Sequence, residues 1–138
     1  MTQTSVDLVA SVDDAWPQLQ ELQTWDGVAG LENLCNEAHG ADGNLQGFDF
    51  SIDTSVGRVN GNTTVSSQKP AMTVTADQKG VAISLSIVLR EAPVGSIAMV
   101  EASAKATSFM AKPLAKAINT LLDKGLAKEA AMLAERIR

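Results

Sequence analysis

From Leu31 to Ala106, apolar and polar residues alternate with a period of two. Phe48, Phe50 and Ile52 oppose Asp49, Ser51 and Asp53, and Met72, Val74 and Ala76 oppose Thr73, Thr75 and Asp77. Val81, Ile83, Leu85, Ile87 and Leu89 form an aliphatic row, as do Ala98, Val100, Ala102 and Ala104. Successive side chains of a strand point to opposite faces, so each run predicts a strand with one face inward and one in water. The pattern predicts strands over 31–38, 45–54, 57–67, 70–78, 80–91 and 95–106. Between them lie Gly40–Ala41–Asp42–Gly43, Ser55–Val56–Gly57, Lys69–Pro70, Lys79–Gly80 and Ala92–Pro93–Val94–Gly95. These are turn residues, and joints this short favour antiparallel neighbours. Gly61, inside a strand, predicts a bulge or bend.

The ends of the chain differ. Residues 4–12 predict a further strand, with Val6, Leu8 and Ala10 on one face. A helix follows, with Ser11, Asp13 and Asp14 at its start and Pro17 expected in about its first turn. Trp16, Leu19, Leu22 and Trp25 share its apolar face, and Gly27 and Gly30 break the region towards two short helices. Residues 108–137 predict one long amphipathic helix, capped by Ser108. Its apolar stripe runs through Leu114, Ile118, Leu121, Leu122, Gly125, Leu126, Ala130, Leu133 and Ile137. Asn119 belongs to the polar remainder. Gly125 predicts close helix–sheet contact or a kink.

This order of elements over the whole chain resembles the START-like, or SRPBCC, helix-grip superfamily. The opening Leu8-Val9-Ala10-Ser11-Val12-Asp13-Asp14-Ala15-Trp16 resembles that superfamily's strand running into a Trp-bearing helix. Trp25 and Gly27-Val28-Ala29-Gly30-Leu31-Glu32 resemble the passage into its second strand, and Lys112 to Ile137 its gripping helix. The polyketide cyclase/dehydrase-like and carbon-monoxide-dehydrogenase-subunit-G-like groups are the most similar. The resemblance implies a single α+β domain over 1–138, with a seven-stranded curved antiparallel sheet around the last helix. It also implies an apolar small molecule or lipid held between the two. The expected lining is Trp25, Phe48, Phe50, Met72, Val74, Ile83, Leu85, Val100, Leu114, Ile118 and Leu122, with Leu121 beside them. Ala76, Ala98, Ala102 and Ala104 are small. They either leave volume for a ligand or let the helix approach closely.

Composition narrows the chemistry. Among 138 residues, 45% are hydrophobic but only 4% aromatic, with no tyrosine. The core is therefore aliphatic, and aromatic-lined substrate chemistry loses support. The net charge of −5 disfavours nucleic acid. No apolar stretch is long enough to span a membrane, no charged leader opens the chain, and Cys35 is alone, so a cytoplasmic protein is expected. One histidine and one cysteine do not build a usual structural zinc site, and no cofactor or metal is implied.

Residues 1–57 carry ten acids and no Lys or Arg, whereas 105–138 carry seven basic residues and three acids. Two solvated faces explain this, and so does association between copies. His39 reads as a surface turn residue, Cys35 as a small hydrophobe in its strand, and Glu101 with Arg90 as a cross-strand pair. Three functions remain: a binding or carrier protein for an apolar ligand, a cyclase- or hydrolase-like enzyme, and an interaction module or homodimer. The enzyme requires His39, Asp49, Asp53, Arg58 or Glu101 to face an enclosed pocket.

Overall fold

The computed structural model describes residues 2–28, 31–54, 57–78 and 80–138, the side chains of Thr54 and Gln78 excepted. The predicted features at Gly30, Ser55–Val56 and Lys79 lie outside those residues. Strands β1 (Thr2–Leu8), β2 (Glu32–His39), β3 (Leu45–Thr54), β4 (Gly57–Gln68), β5 (Ala71–Gln78), β6 (Val81–Glu91) and β7 (Ser96–Ala106) form one antiparallel sheet. Its order is β1-β7-β6-β5-β4-β3-β2. Helices α1 (Val12–Leu19) and α2 (Leu22–Trp25) follow β1, and α3 (Lys112–Arg136) closes the chain after a 3-10 turn at Phe109–Ala111. The predicted seven-stranded curved sheet with a long last helix is what the chain forms.

The inward rows are the predicted ones. Phe48, Phe50, Ile52, Met72, Val74, Ile87, Leu89, Ala98 and Val100 are all buried. Opposed to them, α3 buries Ala115, Ile118, Leu122, Leu126, Ala130 and Leu133, a stripe at helical spacing. Leu121 lies outside that stripe, 43% exposed, and Ala115 takes a place within it. The helix face is thus rotated slightly from the predicted one.

Both fates of the small residues are realised. The helix packs chiefly against β1 and β7, where the inward row of β7 is mostly alanine. It leaves space over the middle of the sheet. Asn119 fastens this arrangement. Its Oδ1 accepts from the Ala104 N–H at 3.0 Å and its Nδ2 donates to the Ala104 carbonyl at 2.7 Å. Ala104 lies beyond the last described pair of β1 and β7, Thr2 with Ala102, and the Asn119 amide satisfies its backbone groups. Asn119 is therefore a structural clamp rather than a solvated polar residue.

The far end of α3 is tied to the first helices. Arg136 donates to the carbonyls of Thr24 and Asp26, and Gln18 exchanges hydrogen bonds with the Arg138 backbone. The Ser11 hydroxyl caps α1 by accepting from the Asp14 N–H at 3.2 Å. Pro17 stands in the second turn of α1, later than expected. The break between α1 and α2 falls at Gln20–Glu21, ahead of Gly27. Gln20 is the C-cap of α1, and its buried Oε1 accepts from the Leu45 N–H at 2.8 Å, securing the start of β3.

Several local expectations are corrected. Gly61 pairs with Phe50 in a continuous register, so no bulge forms there. The irregularity lies in β2 instead, whose register shifts repeatedly and whose Asn33 and Asn36 adopt φ of 54° and 55°. A bulged, largely exposed edge strand resists pairing with other chains. Cys35 on it is exposed. Ser108 makes no capping hydrogen bond. Glu101 stands opposite Ser86 and takes a hydrogen bond from Gln3, while Arg90 stands opposite Ile97, so they are not a pair.

Candidate functional site

The space that α3 leaves above the sheet is an apolar cavity of about 50 Å³. Phe50 and Ile52 of β3, Val74 and Ala76 of β5, Ile83 and Leu85 of β6, and Ala102 of β7 form its floor and sides. Ile118 and Leu122 of α3 roof it, and Leu31 closes one side. The polar groups on its wall are Thr63 and Ser84. The Thr63 hydroxyl is already engaged with the backbone of Phe48.

Of the eleven residues expected to line a ligand space, six meet here: Phe50, Val74, Ile83, Leu85, Ile118 and Leu122. The others do not. Trp25 is 0% exposed, with its indole N–H donated to the Leu19 carbonyl at 2.8 Å, and it holds the short helices to the core. Phe48, Met72 and Val100 are buried in solid core, and Leu114 is half-buried near the start of α3. Leu31, Ile52, Thr63, Ala76, Ser84 and Ala102 were not among the eleven. Ile52, Ala76 and Ala102 share the inward faces that the alternation marks, so their signal was present.

A second space adjoins the first. Leu121, Leu122, Gly125 and Leu126 border a groove of about 350 Å³ between α3 and Asp53 of β3, rimmed by Lys124, Lys128 and Glu129. A Cβ added at Gly125 would meet nothing within 4 Å. The glycine therefore opens a gap here; close contact with the sheet does not explain it, and α3 runs unbroken through it. Leu122 lines both spaces. One carboxylate oxygen of Glu129 is shielded from solvent without a hydrogen-bond partner.

None of the candidate acid–base residues lines the enclosed cavity. His39 is the last residue of β2, its ring nitrogens bonded to Glu37 and the Gly43 carbonyl, and the Glu37 hydrogen bond raises its pKa. Asp49 accepts from Asn36 at 2.7 Å. Arg58 binds Asp53 and Glu32, both at 2.8 Å, in an exposed network that raises its pKa, the Asp53 hydrogen bond first among the causes. Among the described residues, no group of three or more His, Cys, Asp or Glu is placed to hold a metal. No helix among them is long and apolar enough to cross a membrane.

No family model matches the chain, and no curated protein sequence matches it. Solved structures do. A START superfamily protein from Mycobacterium smegmatis matches with a TM-score of 0.74 at 12% identity, over 99% of this chain and 95% of that one. A protein of Thermus thermophilus matches with a TM-score of 0.75 at 10% identity, over 99% and 95% of the two chains. The Zhui aromatase/cyclase from Streptomyces sp. R1128 matches with a TM-score of 0.69 at 10% identity, over 98% and 92%. The likeness runs through every element of the sheet-and-helix grip, and the chain has the START-like (SRPBCC) helix-grip fold.

Proposed function

We propose that this chain binds an apolar or amphiphilic small molecule, such as a lipid, between its sheet and α3, as a binding or carrier protein. The observation that carries the reading is Leu122, which lines both an apolar cavity of about 50 Å³ and a larger open groove. The cavity alone is small, since a dry cavity of roughly 150 Å³ is what accommodates benzene. Rotation of Leu122 joins it to the groove, and together they fit an apolar body inside with a polar end at the rim. There Lys124 and Lys128 offer positive charge and Glu129 offers an unpartnered acceptor. The alternative, a cyclase-like enzyme, needs an acid or base on the wall of this site; no candidate lines the inner cavity, and Asp53, beside the groove, is held by Arg58. The lone exposed Cys35 fits a reducing, cytoplasmic setting.

The test pairs native mass spectrometry of the purified protein with displacement of a fluorescent fatty acid. Wild type is expected to carry or take up one molecule. Gly125→Leu is expected to block the groove while helix propensity keeps the fold at least as stable, by up to about 1 kcal/mol. A stable Gly125→Leu variant that binds as wild type does would show that the ligand does not pass this way. No uptake of fatty acid, sterol or polyketide-like probes by wild type would end the reading.

A further inference from the structure

Of the chain's three phenylalanines, Phe48 and Phe50 are buried, but Phe109 is 78% exposed and its neighbour Met110 is 86% exposed. Both belong to the 3-10 turn between β7 and α3. That turn is firmly seated. Ala111 is buried, and the Thr107 N–H donates to the Gly80 carbonyl at 2.7 Å. A Cβ on Gly80 would stand 2.7 Å from the Ser108 Oγ, so the two turns are in close packing. Two large apolar side chains are thus presented to solvent from a fixed base.

Their surroundings are basic. From Ala102 to Leu122 the sequence holds Lys105, Lys112 and Lys116 and no acid. The Lys112 Nζ lies 5.0 Å from the centre of the Phe109 ring, and Lys116 follows one turn later. The acids towards this end include Asp53 and Glu32, which share Arg58, and Asp123, which accepts from the Thr2 hydroxyl and keeps its charge. Asp77 stands two strands from Lys105, across Ala82. Another exposed apolar pair, Val9 and Val94, lies at the opposite end of the sheet, where Asp7, Asp13, Asp14 and Glu91 outnumber Arg90 and Lys69.

We propose that the Phe109–Met110 turn docks this protein on an anionic lipid bilayer. The two side chains enter the headgroup–acyl boundary, and Lys105, Lys112 and Lys116 meet the lipid phosphates. A specific protein interface needs about 800 Å² from each partner, far more than two side chains on a narrow tip provide. Shallow insertion assisted by lysines needs no matched surface. The net charge of −5 repels such a membrane from the rest of the molecule, so binding is oriented by this tip.

The experiment is co-sedimentation with vesicles of phosphatidylglycerol and phosphatidylcholine, and with phosphatidylcholine alone. Wild type is expected on the anionic vesicles at low salt and released at high salt. Phe109→Ser/Met110→Ser and Lys112→Gln/Lys116→Gln are each expected to weaken partition by about tenfold or more with unchanged thermal stability. Val94→Ser is expected to bind as wild type. Absence of wild type from anionic vesicles at low salt, or equal partition of the Phe109/Met110 variant, overturns the proposal. So does a wild-type dimer, seen by light scattering, that this variant renders monomeric, since the turn would then face a second copy.

Discussion

Ile118 is the residue on which the grip is most directly tested. It is 1% exposed, at the centre of the buried stripe of α3, and it roofs the cavity. Ile118→Ala removes three carbons, worth about 2.4 kcal/mol at roughly 0.8 kcal/mol per buried methylene. The enlarged void adds a further cost, which brings such substitutions to about 2–5 kcal/mol. One side of Ile118 already faces empty space, so it forfeits fewer dispersion contacts than a fully packed residue. The expected loss is therefore about 3 kcal/mol, or roughly 10 °C in Tm for a domain of this size. Leu121→Ala is the matched control. At 43% exposure, Leu121 is expected to cost less than about 1 kcal/mol. Ile118→Asp should exceed both and unfold the domain, because an unpaired charge would enter an apolar space. Urea titration followed by circular dichroism measures all three. Equal losses at 118 and 121, or a loss below about 0.5 kcal/mol at 118, would show that α3 presents a different face to the sheet.

Asn119→Leu leaves both polar groups of Ala104 without the side-chain amide, and a loss of about 1–3 kcal/mol is expected in the same titration. An unchanged midpoint would mean that solvent replaces the clamp. Gly95→Ala should cost more than about 2 kcal/mol in thermal melts, since φ is +70° and the added Cβ would fall 2.0 Å from the Leu8 carbonyl oxygen. A melt indistinguishable from wild type would place that turn elsewhere. The Lys69 ammonium, first by its hydrogen bond at 2.6 Å and then by its charge, holds the Asp13 carboxyl below the ordinary 3.8. The folded value is the lower one. The contribution is therefore complete above the ordinary value and lost as pH falls through the folded one. Lys69→Gln is expected to return the Asp13 carboxyl resonance to ordinary titration by NMR, and an unshifted curve would refute the pairing.

What the sequence made legible was governed by which residues must share a face. The strands from β2 to β7 have predicted bounds within a residue of those observed, and in β3 to β7 the register too is constrained, since a slip of one residue would turn Phe48, Phe50 or Ile83 to water. β2 lacks that constraint. It is an exposed edge, and its register is set by local backbone turns at Asn33 and Asn36 that no alternation encodes. Asn119 was illegible for a related reason. An amide on a helix reads as solvated, and only the approach of α3 to β7 brings it to the Ala104 backbone. The cavity was legible by half. Period two identifies every inward residue alike, Met72 and Val74 together. Whether such a residue meets solid core or empty space depends on where α3 crosses the sheet. That crossing is set at a distance, by Arg136 holding α2, Gln18 holding the chain end, and Asn119 holding β7. The same three ties that hide the site from a local reading therefore help to position its roof. Loosening any of them should alter the volume of the cavity without touching a residue of its lining.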